Sequence, residues 1–189
     1  MGCDIYILIE IFDPITKKYL LLREERSNNV TVQLGEHCMI TLRNPSDSPL
    51  MTVTSAELNN WRQQHKNCED YQCQCYNDFN ISFGLNRDYI FFNKIAGVRS
   101  NEKGTVQPRG LPFDTDDSIK EILLEDKKDS FRKGMNPCDL HSHTFLYDTE
   151  IDALNFDDNG GLKEMKGLLQ RVRNNFPDQV ARFLIAFDN

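Results

Sequence analysis

The sequence predicts a single α+β domain, residues 1–189, with a largely antiparallel sheet and several helices packed on it. Residues 4–43 hold short runs rich in Ile, Val and aromatic side chains, and turn-forming pairs separate these runs. Helical patterns follow, but they do not alternate regularly with strands as they would in a doubly wound parallel fold. The 189 residues include 39% hydrophobic residues and 12 Phe, which is enough apolar material for one core.

The charge balance and the apolar runs exclude some classes of protein. Lys and Arg number 22 against 29 Asp and Glu, and the net charge of −7 opposes general binding to nucleic acid or to an anionic membrane. No run approaches the ~20 apolar residues of a membrane-spanning helix, and the first residues lack a cationic leader. We therefore expect a cytoplasmic protein whose 6 cysteines are reduced. The sequence does not predict its oligomeric state.

Four runs with the composition of strands come first, at residues 4–12, 18–23, 30–34 and 37–43. Asp13-Pro14 breaks the first run, so the first two runs are expected to form a hairpin. Gly35-Glu36 suits a tight turn between the third and the fourth run. The polar, proline-containing segment 44–49 is expected to form a loop.

Two helices are predicted in the middle of the chain. Thr54-x-x-Glu57 is a capping box, and it predicts a helix to about residue 66 with Leu58 and Trp61 facing the core. Residues 88–97 predict a second helix, which ends at Gly97. In this helix the apolar side chains at spacings of three and four are Tyr89, Phe92 and Ala96, with Phe91 and Ile95 beside them. Residues 100–117 then form a long loop, a feature often linked to function.

The remaining elements are, in order, a helix that Asp117 caps and that reaches about residue 127, a strand at 139–147, a short helix at 149–155, a helix after Gly160-Gly161 and a strand at 180–187. The helix after Gly160-Gly161 is amphipathic. Its inward positions are Leu162, Met165, Leu168, Leu169 and Val172, and Pro177 ends it.

The segment Asp139-Leu140-His141-Ser142-His143-Thr144 combines an acid, two imidazoles and two hydroxyls. In an extended strand, residues two apart share a face, so Asp139, His141 and His143 are expected to point the same way. Carboxylate and imidazole bind zinc, manganese or iron, and a bound metal activates water. These three residues are therefore a candidate catalytic metal site, with His141 and Asp139 as the candidate catalytic residues.

The same segment resembles the opening metal motif of the polymerase-and-histidinol-phosphatase phosphoesterases. This resemblance implies a metal-dependent phosphoesterase as an alternative function. In that family the other metal ligands lie downstream, whereas here no histidine follows His143.

A second candidate metal site lies at the cysteine-rich segment 67–80, which we interpret as an insertion or a long loop. His65, Cys68, Cys73 and Cys75 provide four soft ligands close together, which suits a small structural zinc site. The gaps differ from the two-residue spacing of common zinc sites, so free thiols in a loop are the alternative.

Four segments resemble, in their order and spacing, a family of uncharacterised proteins that is common in bacteriophages and prophages. These segments are Met1-Gly2-Cys3-Asp4-Ile5, Arg87-Asp88-Tyr89 followed by Ile95-Ala96-Gly97-Val98-Arg99, Pro108-Arg109-Gly110-Leu111-Pro112, and Asp139 with His141-Ser142. The ending Phe187-Asp188-Asn189 is also similar. The chain departs from the family at two positions, because Tyr6 replaces a usual histidine and Asp88 a usual asparagine. A site that required that histidine would be impaired here.

The residues in these segments share a chemistry. Candidate ligand-binding residues are Asp4, Arg87, Arg99, Arg109 and Ser142, next to the candidate catalytic residues named above. Arg presents a planar fork of donors that matches phosphate or carboxylate, and His acts as a base or donor near neutral pH. We therefore expect a phosphate-bearing, nucleotide-like ligand. The alternative is that the arginines form structural ion pairs with nearby aspartates.

By analogy with other phage proteins, the resemblance implies a role in countering host nucleotide-based defence. Two other classes stay open. Cys3 or Cys138 could act as a nucleophile with His141 as base. The acidic stretch from Asp114 to Asp129 could form the surface of a protein that inhibits a host factor, although such stretches are usually solvated faces.

Overall fold

A computed structural model of the protein describes residues 5–24, 30–33, 39–42, 49–65, 81–85, 88–97, 108–124, 141–157 and 160–187. These residues form an α+β domain in which helices cover an antiparallel sheet, and the predicted fold class is confirmed. No helix in these ranges combines the length and the apolar character that crossing a membrane requires.

The strands in the described ranges are β1 (Ile5–Asp13), β2 (Lys18–Glu24), β3 (Val30–Gln33), β4 (Met39–Leu42), β5 (Leu50–Val53), β6 (Phe83–Leu85), β7 (His141–Tyr147) and β8 (Ala181–Phe187). The helices are α1 (Ser55–His65), α2 (Tyr89–Ala96), α3 (Asp117–Leu124), α4 (Asp148–Ala153) and α5 (Gly161–Asn175). The main sheet has the order β5-β2-β1-β8-β7, and β3 and β4 form a separate antiparallel pair. Strand β6 pairs with the first residues of β1, whereas β2 pairs with its last residues.

The two central strands are β1 and β8, and they pair from Ile5 with Phe187 to Ile11 with Ala181. Both faces of β1 are buried, which agrees with its almost continuous apolar sequence. The face that carries Ile5 and Ile7 packs against α2, α4 and α5. The opposite face, which carries Leu8, packs against α1 and α3. The sheet therefore lies between two layers of helices.

Local sequence signals explain several boundaries. The carboxylate of Asp13 accepts hydrogen bonds from the backbone amides of Ile15 and Thr16, at 3.0 and 3.2 Å, in the turn of the predicted β1–β2 hairpin. The capping box of α1 is also confirmed. The amide of Thr54 donates to Oε2 of Glu57 at 2.8 Å, and the amide of Glu57 donates back to Oγ1 of Thr54 at 3.2 Å.

Helices α2 and α5 follow the predicted apolar patterns with small differences. Gly97 ends α2 with a φ of 64°, which glycine adopts without a steric penalty. The ring of Tyr89 is exposed, because the buried side of this short helix is centred on Phe91, Phe92 and Ile95. In α5 the buried side chains are those predicted, except that Leu168 is only partly buried.

Three features differ from the sequence-based expectation. The strands β5 and β6 were not predicted, because three or four residues are too few to show an alternation, and their pairing with β2 and β1 defines them. The cap of α3 is Asp116 rather than Asp117, since Oδ1 of Asp116 accepts the amide of Ser118 at 2.9 Å. The short helix after β7 begins and ends slightly earlier than predicted.

Candidate functional site

Four strand ends lie side by side at one end of the sheet. Ile5 pairs with both Leu85 and Phe187, and Phe187 pairs with His141. Neighbouring strands are about 4.8 Å apart, so this row is about 15 Å wide. We call the row Leu85–Ile5–Phe187–His141 the His141 end of the sheet.

Several predicted site residues are neighbours in sequence of this row, but they lie outside the described residues. Asp4 directly precedes Ile5, and Arg87 stands between Leu85 and Asp88. Arg99 and Asp139 also lie outside the described ranges, and only the backbone of His141 is described. The ligand-binding and catalytic roles of these residues therefore stay predictions.

The histidine-containing strand is confirmed from His141 onward, but it is not a regular strand. Its register shifts between His141, which pairs with Phe187, and Thr144, which pairs with Ile185. Ser142 has a φ of 53°, in the left-handed region. This β-bulge interrupts the alternation of side chains. The expectation that His141 and His143 share one face assumed a regular strand, and it stays a prediction because the side chain of His141 lies outside the described residues.

The imidazole of His143 contacts the last turn of α3. Its Nε2 lies 2.9 Å from the carbonyl oxygen of Leu123. Because a carbonyl only accepts hydrogen bonds, Nε2 carries the hydrogen in this contact. A donor at the C-terminus of a helix satisfies one of its open carbonyls. With Nε2 engaged, His143 could bind a metal only through Nδ1.

The side chain of Arg109 makes intramolecular contacts in this structure. Its Nη1 and Nη2 donate to the two carboxylate oxygens of Glu150, each at 2.9 Å, and Nη2 also donates to the carbonyl of Phe145. The guanidinium lies over the ring of Phe145, 4.2 Å from its centroid. These contacts use three of the five N–H donors of Arg109, and its role as a ligand-binding residue stays a prediction.

The segment around Arg109 lies along the outer edge of β7. The amide of Gly110 donates to the carbonyl of His143 at 2.9 Å, and the amide of Arg109 contacts Oγ1 of Thr144 at 3.4 Å. Glu150 in addition accepts the amide of Tyr147 at 2.9 Å, at the start of α4. The ion pair of Arg109 and Glu150 thus fastens the long loop to the edge of the sheet.

A buried ionic cluster that the sequence did not predict lies on the α1–α3 face, several residues away from the His141 end. Glu10 on β1 pairs in register with Arg182 on β8, and both side chains are fully buried. Nε of Arg182 lies 2.5 Å from Oε2 of Glu10, and its Nη1 lies 2.6 Å from Oδ1 of Asp114. We call Glu10, Arg182, Asp114, Thr115 and Tyr19 the Arg182 cluster.

Aromatic and hydroxyl groups complete this cluster. The guanidinium carbon of Arg182 lies 3.6 Å from the centroid of the Tyr19 ring, an arrangement favourable for a cation. Its Nη2 has a long contact of 3.5 Å with Oγ1 of Thr115. Burial raises the pKa of Tyr19, and the neighbouring Tyr147 raises it further. The cluster is therefore a polar region enclosed between the sheet and segment 112–116.

Glu10 is incompletely satisfied in this cluster. Burial raises the pKa of Glu10, which the hydrogen bond and the charge of Arg182 only partly oppose, while Asp114 and Asp116 raise it further. Among the described residues, Oε1 of Glu10 has no hydrogen-bond partner. One buried acceptor of this carboxyl group is therefore open.

A sequence signal for the cluster does exist. Arg182 is the single charged residue of β8, Glu10 is the single charged residue of β1 before its last residue Asp13, and the charges of Glu10 and Arg182 are opposite. Two such strands pair most favourably when these charges meet, because an unpaired buried charge is costly. Asp114 carried no comparable signal, since it lies in a loop beside two other polar residues, Thr115 and Asp116.

Most ligands of the two predicted metal sites lie outside the described residues. Within the described ranges, no group of three or more His, Cys, Asp or Glu side chains is arranged to hold a metal ion. The predicted zinc ligands Cys68, Cys73 and Cys75 lie outside these ranges, as does the side chain of His65. Asp139 and the side chain of His141 also lie outside them.

Comparison of the chain with models of protein families, with curated proteins and with solved structures gives no match.

Proposed function

We propose that the protein binds a phosphate-bearing, nucleotide-like small molecule at the His141 end of the sheet. The register of four strands supports this site, because it brings the chain positions next to Asp4, Arg87 and His141 to one end of the sheet. Ligands of antiparallel sheets need such a convergence of loops, since residues far apart in sequence must supply the binding groups together.

The chemistry of the nearest helix indicates which groups would hold the phosphate. Helix α2 begins beside this end, but its first amides, those of Ile90 and Phe91, already donate to the carboxylate of Asp88 at 3.0 Å. A carboxylate there opposes a second anion. The phosphate would therefore be bound by side chains, and Arg87, directly before this cap, is the first candidate.

In this proposal the protein acts in the cytoplasm of a bacterial host and sequesters a nucleotide signal for the benefit of a phage. The resemblance of the terminal and central motifs to phage proteins supports this context. The net charge of −7 favours a small ligand in a local basic pocket over an extended nucleic acid.

Binding can be tested with the purified protein and a panel of linear nucleotides, cyclic mononucleotides and cyclic dinucleotides. The protein is incubated with each compound, separated from free compound, denatured, and the released material is analysed by chromatography. Intact nucleotide supports binding. A shorter product would instead support the alternative of a phosphoesterase, and loss of that product with a chelator would show that it depends on a metal.

A pair of variants makes the test specific. Arg87→Gln should weaken binding about tenfold or more, because a charged hydrogen bond to phosphate is lost. Arg173→Gln is the matched control: this arginine pairs with Asp152 on α5 and α4 and is expected to leave affinity unchanged. No binding by any nucleotide, or equal binding by Arg87→Gln and the wild type, would contradict the proposal.

A further inference from the structure

The Arg182 cluster holds its guanidinium between a fixed partner and an exposed one. Glu10 lies on a central strand and is fully buried. Asp114 lies on the loop before α3, and its side chain is 42% exposed. When the exposed carboxylate of Asp114 leaves Arg182, water hydrates it again. Replacing Asp114 by another anion therefore costs far less free energy than separating the buried carboxylate of Glu10 from Arg182.

Two groups of the cluster lack good partners among the described residues. Oε1 of Glu10 accepts no hydrogen bond from these residues, and the contact that Nη2 of Arg182 makes with them is the 3.5 Å one with Thr115. A buried polar group without a partner destabilises the folded state, because it has lost its hydrogen bonds to water. A ligand that gave Glu10 a donor and Arg182 a strong acceptor would recover this free energy.

We propose that the Arg182 cluster is a second binding site, independent of the ligand site proposed above, for a small molecule that carries an oxyanion next to a hydroxyl group. The oxyanion replaces Asp114 on Arg182, and the hydroxyl donates to Oε1 of Glu10. Phosphorylated or carboxylated polyols have this chemistry. Because one anion replaces another, a monoanionic ligand leaves the net charge of the buried cluster unchanged.

The short turn that carries Asp114 can open while the residues before and after it keep their contacts. The amide of Thr115 donates to the carbonyl of Pro112 at 3.2 Å, which closes the turn. After the turn, Asp116 binds Ser118 at the start of α3 and the hydroxyl of Ser55 at the start of α1. Before it, Gly110 is bound to β7.

The side chain at the tip of this turn does not hold it closed. Phe113 is 95% exposed, so its ring packs against nothing that opening would disrupt. The described contacts that hold the turn against the sheet are those of Asp114 and Thr115 with Arg182, and a backbone contact from Lys120 to the carbonyl of Phe113 at 3.2 Å. A competing oxyanion therefore acts on the strongest of these contacts.

The first experiment removes the internal anion. Asp114→Ala should lower the melting temperature, and acetate or inorganic phosphate should restore it more than potassium chloride at the same ionic strength. Asp117→Ala, which removes a neighbouring exposed carboxylate that does not contact Arg182, should show no such rescue. If the rescue of Asp114→Ala does not exceed that of Asp117→Ala, the proposal is overturned.

The second experiment tests the ligand class. Glycerol 3-phosphate, which combines an oxyanion with hydroxyl groups, should bind Asp114→Ala about tenfold more tightly than inorganic phosphate. Glu10→Leu in the same background should remove this preference but keep phosphate binding, because leucine offers the hydroxyl neither a donor nor an acceptor. Equal affinities for the two compounds in Asp114→Ala would refute the assignment of Glu10.

A third measurement uses the intact cluster in case Asp114→Ala does not fold. Phe113→Trp places a reporter at the exposed tip of the turn, and the same chain with Phe113 unchanged gives the background emission of Trp61. Glycerol 3-phosphate should shift the emission of the reporter in a saturable manner, and sodium chloride should not. An unchanged emission up to millimolar glycerol 3-phosphate would overturn the proposal.

Discussion

The buried carboxylate of Asp88 caps α2 and also binds Gly161, the first residue of α5. Its Oδ1 accepts the amides of Ile90 and Phe91, and its Oδ2 accepts the amide of Gly161 at 3.0 Å. The beginnings of two helices that are far apart in sequence thus share one acceptor group. Both oxygens are needed, so this position distinguishes aspartate from asparagine.

Asp88→Asn should destabilise the protein although it keeps the shape of the side chain. The amide oxygen of asparagine can still accept from α2, but its NH2 group cannot accept from Gly161. We expect the free energy of unfolding to fall by about 1–3 kcal/mol. Urea denaturation measures this change, with Asp178→Asn at an exposed position as the control. Equal stability of Asp88→Asn and the control would show that the Gly161 contact contributes nothing.

Gly161→Ala and Gly167→Ala should change stability in opposite directions. A Cβ at Gly161 would lie 2.9 Å from Cγ of Phe91, whereas a Cβ at Gly167 would meet no atom within 4 Å. We expect a loss of about 1–3 kcal/mol for Gly161→Ala from overpacking. Gly167→Ala should gain up to about 1 kcal/mol, because alanine is favoured inside a helix. Thermal unfolding of the two variants tests this contrast, and a gain for both would contradict it.

The Arg109–Glu150 ion pair should make stability depend on acid pH. The hydrogen bonds from Arg109 lower the pKa of Glu150 below its ordinary value of 4.5, although burial opposes them. Since the folded state holds the proton less tightly, the pair stabilises the protein above pH 4.5, and this contribution is lost as the pH falls through the lowered pKa. Both side chains are partly exposed, so we expect less than about 1 kcal/mol.

The measurement is the difference in the free energy of unfolding between the wild type and Glu150→Gln, from pH 3 to pH 7. This difference should shrink on acidification. In an Arg109→Ala background the same substitution should have a much smaller effect, because the partner is missing. A difference that is constant with pH in both backgrounds would show that the ion pair does not contribute.

Glu10 should produce the opposite pH dependence. Burial raises the pKa of Glu10 above its ordinary value of 4.5, so the folded state holds this proton more tightly than the unfolded chain. The contribution of Glu10 to stability is therefore present at low pH and is lost as the pH rises through the raised pKa. Relative to Glu10→Gln, the wild type should become less stable from pH 4 upward. A wild type that instead gains on Glu10→Gln with rising pH would contradict this assignment.

The sequence predicted those elements that have many residues of one pattern or a local hydrogen-bonding signal. The apolar runs of β1 and β8, the capping box at Thr54 and the amphipathic α5 are examples. Strands β5 and β6 were missed because their identity depends on their neighbours rather than on their own few residues. The bulge at Ser142 was missed because a serine with a positive φ has no distinct signal in a single sequence.

For the candidate sites too, the sequence predicted features that depend on residue type and missed those that depend on tertiary contacts. The sequence selected His141 and the arginines by residue type, and the strand register brings some of their neighbours together. It did not predict that Arg109 would bind Glu150, or that Arg182 would meet both Glu10 and Asp114, which are 172 and 68 positions away. Such partners depend on the tertiary fold, and residue type alone does not determine them.

The pairing of β1 with β8 has a consequence for biosynthesis. On the ribosome, the first strand emerges long before its central neighbour, because about 170 residues separate Glu10 from Arg182. Until then one side of an apolar strand remains open to other nascent or misfolded chains. Completion of the sheet therefore waits until β8 has left the ribosome, and pairing over so long a stretch of chain is intrinsically slow.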